Sequence, residues 1–95
     1  MPKFLLPPVT ERIPASILTY FRHRGIKLEA VRTREYYDTK YMPNRVTVTL
    51  YVSYDGIEAD YTGQANCHPD DFYEFEIGEK LALMRALLLI IEHVK

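Results

Sequence analysis

Arg45-Val46-Thr47-Val48-Thr49-Leu50-Tyr51-Val52-Ser53-Tyr54-Asp55-Gly56-Ile57-Glu58-Ala59-Asp60-Tyr61-Thr62-Gly63-Gln64-Ala65-Asn66 is two alternating runs joined by an Asp-Gly pair. Asp-Gly between alternating segments favours a two-residue type I′ turn, in which both central residues take positive φ. That loop sets the pairing. Tyr54 falls opposite Ile57, Val52 opposite Ala59, Leu50 opposite Tyr61, Val48 opposite Gly63, and Val46 opposite Ala65, and every one of these is apolar, aromatic or glycine. The other face pairs Ser53 with Glu58, Tyr51 with Asp60, Thr49 with Thr62, Thr47 with Gln64, and Arg45 with Asn66. A slip of one residue would turn the apolar set to water, so the register is strongly specified. One face of this hairpin belongs to a core and the other to solvent.

Upstream, Ile26, Leu28 and Ala30 alternate with charged residues, which predicts a strand from Ile26 to about Glu35. Tyr36 to Asn44 reads as a loop or strand end, with Pro43 arguing against a central strand. Before the strand, a helix is expected from about Pro14 to Arg24. Pro14 suits a first turn because its missing N–H would have no intrahelical partner there. Ile13, Ile17, Leu18 and Phe21 share one face. The basic run Arg22-His23-Arg24 suits the negative end of the helix dipole, and Gly25 stands where a left-handed C-cap is wanted. Residues 1–11 are Pro-rich and read as an extended arm, leaving 12–95 as a single domain.

Downstream, Cys67-His68-Pro69-Asp70-Asp71 breaks the strand, and a short turn leads into a long helix from about Phe75–Gly78 to Val94. Ile77, Leu81, Met84, Leu88 and Ile91 fall within about 40° of one direction on that helix. Leu83, Leu87, Ile90 and Val94 form a second stripe roughly 110° around. One sheet cannot cover so wide an arc. The second stripe must therefore meet the first helix, the N-terminal arm or another subunit, and a homodimer through it is one expectation. The elements run α-β-β-β-α, an α+β two-layer domain with two helices on one face of a three-stranded antiparallel sheet.

The chain has 95 residues, 47% of them hydrophobic, which suffices for one core. It contains no run of 18 apolar residues, and the apolar stretch near Lys3 is too short for a secretory signal. A single cysteine, Cys67, rules out an internal disulfide framework and points to a reducing, cytoplasmic setting. The net charge of −1 conceals a split. Residues 1–47 carry nine basic and four acidic groups, a balance of +5. Residues 48–95 carry three basic and nine acidic groups, a balance of −6. Either two faces differ in sign, or the charges neutralise one another across strands.

The α-β-β-β-α order resembles the double-stranded-RNA-binding domain across about residues 12–94. That resemblance implies a lysine cluster opening the last helix, whereas Asp70, Asp71, Glu74, Glu76 and Glu79 stand there with Lys80 alone. The family's Gly-Pro-x-His loop is likewise replaced by Tyr41-Met42-Pro43-Asn44. Carboxylates facing phosphates repel, so duplex binding at that end is disfavoured. Thr62-Gly63-Gln64-Ala65-Asn66-Cys67-His68-Pro69-Asp70-Asp71-Phe72, followed by Gly78-Glu79-Lys80-Leu81-Ala82-Leu83-Met84-Arg85-Ala86-Leu87, resembles small phage- and prophage-encoded proteins. This second resemblance implies a bacterial host cytoplasm and an accessory or host-directed role, and it carries no catalytic residue.

Cys67, His68, Asp70 and Asp71 are metal-ligand types, but there is no second cysteine to complete a zinc pattern. They read instead as a strand end and a turn cap. No phosphate-cradling glycine loop and no set of nucleophile, base and oxyanion donors can be named, so neither an enzyme nor a cofactor is expected. Gly63 and Gly78 read as packing glycines that permit close backbone approach. Arg85 is expected to tie the turn to the helix through Asp70, Asp71 or Glu74. The acidic turn at 70–76 reads as a helix N-terminus in preference to a nucleic-acid mimic. Eight tyrosines and no tryptophan favour a protein interface. Tyr36, Tyr37, Tyr41 and Met42 form the expected contact surface for an unidentified protein partner. The expectation is thus a non-enzymatic protein-binding module. Its alternative is a nucleic-acid-binding module using the basic edge of Arg22, Arg24, Lys27, Arg32 and Arg34, with the tyrosines adding stacking faces.

Overall fold

The computed structural model describes residues 13–37, 43–66 and 75–94. Its elements are α1 (Ala15–Arg24), β1 (Ile26–Tyr37), β2 (Pro43–Tyr54), β3 (Ile57–Asn66) and α2 (Phe75–Val94). The strands form one antiparallel sheet in the order β1-β2-β3, so the fold is α+β with helix packed on sheet. No helix among the described residues is long and apolar enough to cross a membrane.

The hairpin forms as its alternation requires. Asp55 and Gly56 both take positive φ, 57° and 78°, as a type I′ turn demands. The Thr49 and Thr62 hydroxyls lie 2.7 Å apart, which fixes the predicted register. Val46, Val48, Leu50 and Val52 are buried along β2, while the side chains between them are half-exposed. The apolar face fails only at the hairpin tip, where Ile57 is 67% exposed.

α1 begins one residue later than expected, with Pro14 as its N-cap. Gly25 closes it in the left-handed conformation (φ 74°), and its N–H donates to the Arg22 and Phe21 carbonyls. Pro43 opens β2, which is the central strand, contrary to the sequence reading. Proline is tolerated as the first residue of a strand, where fewer ladder bonds depend on its missing N–H. β1 also runs on to Tyr37, two residues past its expected end.

The chain divides into two compact units, Met1–Arg32 with Leu50–Asp60 and Thr33–Thr49 with Tyr61–Lys95. In the first unit, Ile13, Phe21, Ile26, Val31, Leu50 and Val52 are buried. Up to residue 30, β1 shields its even-numbered side chains and exposes Lys27 and Glu29. Ser53, from the polar set of the hairpin, donates a 2.9 Å hydrogen bond to Glu29.

In the second unit the phase of β1 is reversed. Thr33 turns toward α2 and donates to the buried Glu79 carboxylate at 3.1 Å, while Arg34 is exposed. The buried Val31 directly follows the half-buried Ala30, which is the mark of one extra residue, as in a β-bulge. Simple alternation from Ile26 does not reveal that step. The core of this unit is Val46, Val48 and Ala65 with Ala82, Leu83, Ala86, Leu87 and Ile90 of α2. Gly63 is where helix and sheet touch: a Cβ there would overlap the Ala82 carbonyl oxygen and the Ala86 amide nitrogen. At Gly78 an added Cβ would lie 3.0 Å from the Val46 Cγ2 methyl. Both glycines therefore permit close approach, as the sequence reading expects.

Candidate functional site

Two surfaces of the second unit stand out. The first is the side of α2 turned away from its core. The buried residues Glu79, Ala82, Leu83, Ala86, Leu87 and Ile90 define the packed face. Ile77, Leu81, Met84, Leu88 and Ile91 centre about 150° around from it. Ile77 is 56% exposed, Leu81 46% and Leu88 53%, with Met84 and Ile91 half-buried. This corrects the expected assignment of the stripes. Leu83, Leu87 and Ile90, the stripe for which a homodimer is one expectation beside the first helix and the N-terminal arm, are fully enclosed and offer no surface to a second copy. The small side chains Ala82 and Ala86 let the backbone of α2 settle over Gly63, and that rotation brings the second stripe to the core. The first stripe is the one left outside.

The second surface is the polar face of the sheet. In this unit it carries Arg34 and Tyr36 from β1, Arg45, Thr47 and Thr49 from β2, and Thr62, Gln64 and Asn66 from β3. The Arg45 guanidinium carbon lies 4.3 Å from the centre of the Tyr36 ring, within cation–π distance. Its Nε is buried and has no hydrogen-bond partner. Thr49 and Thr62 join their hydroxyls across the strands. No acidic residue alternates onto this face among the described residues of the unit.

The polar face of the first unit has a different charge pattern. Glu29, Glu58 and Asp60, with Tyr51, Val52 and Ala59, line an open depression there. Lys27 and Arg32 thus belong to a unit whose sheet also presents carboxylates.

Of the expected tyrosine cluster, Tyr36 sits on β1 under Arg45, and Tyr37 is the last residue of that strand. Tyr41 and Met42 lie outside the described residues. The expected basic edge is divided. Arg22 and Arg24 close α1, where the Arg24 guanidinium carbon lies 5.3 Å from the Tyr20 ring centre. Lys27 and Arg32 are exposed in the first unit, and Arg34 is exposed in the second.

Arg45 was not among the expected site residues, although it begins the polar alternation of the hairpin, opposite Asn66. Only its place over Tyr36, reached through the phase step in β1, marks it out. Arg85 donates a 2.7 Å hydrogen bond to the Gln64 carbonyl. It thereby satisfies an acceptor of β3, an edge strand of the sheet. The expected acidic partners Asp70, Asp71 and Glu74 lie outside the described residues, as do Cys67 and His68. At the C-terminal end of α2, the Tyr61 hydroxyl is hydrogen-bonded to His93 Nδ1, and the two rings are tilted with centroids 5.6 Å apart. Among the described residues no three His, Cys, Asp or Glu side chains gather as a metal site would require. Compared with family models, curated proteins and solved structures, the chain matches none.

Proposed function

We propose that this chain is a non-enzymatic protein-contact module that works through the outward stripe of α2, with a second copy of the same chain as its partner. The supporting observation is the exposure of Ile77, Leu81 and Leu88 on the side opposite the packed face. A helix that is apolar on both sides is ordinarily covered on both. Contiguous exposed apolar side chains of this kind mark interaction surfaces.

The spacing favours a like helix as the cover. Ile77, Leu81, Met84, Leu88 and Ile91 follow one another at intervals of four, three, four and three residues. That is the heptad seam by which two helices interlock. A second copy necessarily brings the matching spacing, and a two-fold contact buries the same stripe on both chains. A host or phage target for the assembled module belongs to the same proposal, and rests on the residues of the phage-type resemblance.

Light scattering after size-exclusion chromatography tests this on the wild type and on the Leu81→Glu, Leu88→Glu double variant. A dimer is expected for the wild type, and a monomer of unchanged circular dichroism for the variant. A monomeric wild type, or a variant that stays dimeric, overturns the reading. If the variant unfolds, Leu88→Ala is measured in its place, and a dimer no weaker than that of the wild type overturns the reading.

A further inference from the structure

We propose that the polar face of the sheet in the second unit is a platform for single-stranded nucleic acid, centred on the Arg45–Tyr36 stack. The proposal is independent of the α2 stripe, which lies on another surface of the same unit.

The first argument is charge. Arg34 and Arg45 alternate onto this face, and no described carboxylate of the unit does. A partner that complements it is anionic. Arg22 and Arg24 sit on another element, and Lys27 and Arg32 share their unit with the carboxylate-lined depression. The face around Arg45 is therefore the better seat for a phosphate backbone.

The second argument is the kind of anion. An acidic peptide needs only cations, whereas this face also presents a flat stacking group. The Arg45 guanidinium lies over the Tyr36 ring at 4.3 Å. Unpaired bases stack on both tyrosine rings and arginine planes. The Tyr36 ring already holds the guanidinium in place, so a base that stacks there orders less of a long side chain anew.

The third argument is the hydrogen-bonding capacity of the face. The Arg45 Nε is enclosed and so is not itself open to a ligand. Thr49, Thr62 and Gln64 add hydroxyl and amide groups on the same face. These groups are both donors and acceptors, which suits base edges. A duplex fits poorly, because its bases are stacked internally and cannot reach the Arg45–Tyr36 pair.

Fluorescence anisotropy with a labelled oligothymidylate 12-mer tests the proposal on the full chain. Binding is expected, with log affinity falling against log salt at a slope of about −1.4 if two phosphates are neutralised. Tyr36→Leu is expected to weaken binding by at least about fivefold, the low end of a lost stacking contact. Arg34→Gln with Arg45→Gln is expected to flatten the salt slope. Arg22→Glu with Arg24→Glu should leave both quantities unchanged. Thermal melts of each variant show whether it is folded. If Tyr36→Leu does not fold, Arg45→Lys replaces it, because lysine keeps the charge and loses the plane. Failure of the wild type to bind overturns the proposal. Equal affinity for a poly-glutamate peptide or for duplex DNA overturns it too, as does loss of binding only in the α1 variant.

Discussion

At Gly63 the backbone of β3 lies directly against that of α2. The missing Cβ is the space occupied by the Ala82 carbonyl oxygen and the Ala86 amide. Both are backbone atoms of a packed helix and cannot swing aside. Gly63→Ala is therefore expected to destabilise by about 3 kcal/mol or more, at or beyond the upper end for overpacking. Gly78→Ala meets only the Val46 methyl, at a distance that a small shift relieves. It also gains up to about 1 kcal/mol of helix propensity. Thermal denaturation should show the first variant strongly destabilised and the second within about 1 kcal/mol of wild type. Gly56→Ala belongs to a third kind. It has open space around it but a φ of 78°, so it is expected to cost roughly 1–2 kcal/mol of backbone strain in the same melts. The roles of Gly56 and Gly63 were legible in the sequence, from Asp-Gly turn chemistry and from a glycine inside an alternating strand. Arg45 was not, because its meaning depends on Tyr36 reaching the same face of the sheet.

At the scale of the element, α2 and β1 show opposite limits of pattern reading. The two apolar stripes of α2 were both visible, but hydrophobicity alone does not say which one packs. The decision lies with small residues. Ala82 and Ala86 beside Gly63 permit the closest approach, and they flank Leu83, Leu87 and Ile90. Leu87→Ala is consequently expected to cost about 2–5 kcal/mol, as a fully enclosed leucine does. Leu88→Ala leaves the monomer's core intact. Its expected effect is on the concentration dependence of the melting temperature, which the wild type shows as a dimer and the variant loses in part. In β1 the alternation from Ile26 to Ala30 is plain, yet the chain steps by one residue before Thr33. The step has a tertiary counterpart, because it turns Thr33 toward Glu79 on α2. Pro43 misled for a related reason, since a proline that opens a strand looks locally like one that ends it.

Across the whole molecule, the contrast between a +5 half and a −6 half resolves into a finer pattern. Of the exposed carboxylates on the sheet, Glu29, Glu58 and Asp60 belong to the first unit and Glu35 to the second. In the second unit Arg34 and Arg45 alternate onto the polar face, whereas the exposed Glu35 alternates onto the other. The overall order α-β-β-β-α was readable because each element carries its own signal: a Pro start and Gly stop for α1, an Asp-Gly turn for the hairpin, and a long periodic run for α2. The working surfaces were less readable, since each needs residues brought together from different elements. The account gives α2 two occupied sides, its own core on one and a second copy on the other. Isotope-filtered NOE spectroscopy on a mixture of labelled and unlabelled chains tests this most directly. Intermolecular contacts are predicted among the methyl groups of Ile77, Leu81, Met84, Leu88 and Ile91. Their absence at millimolar concentration, or intermolecular contacts confined to another face, would contradict it.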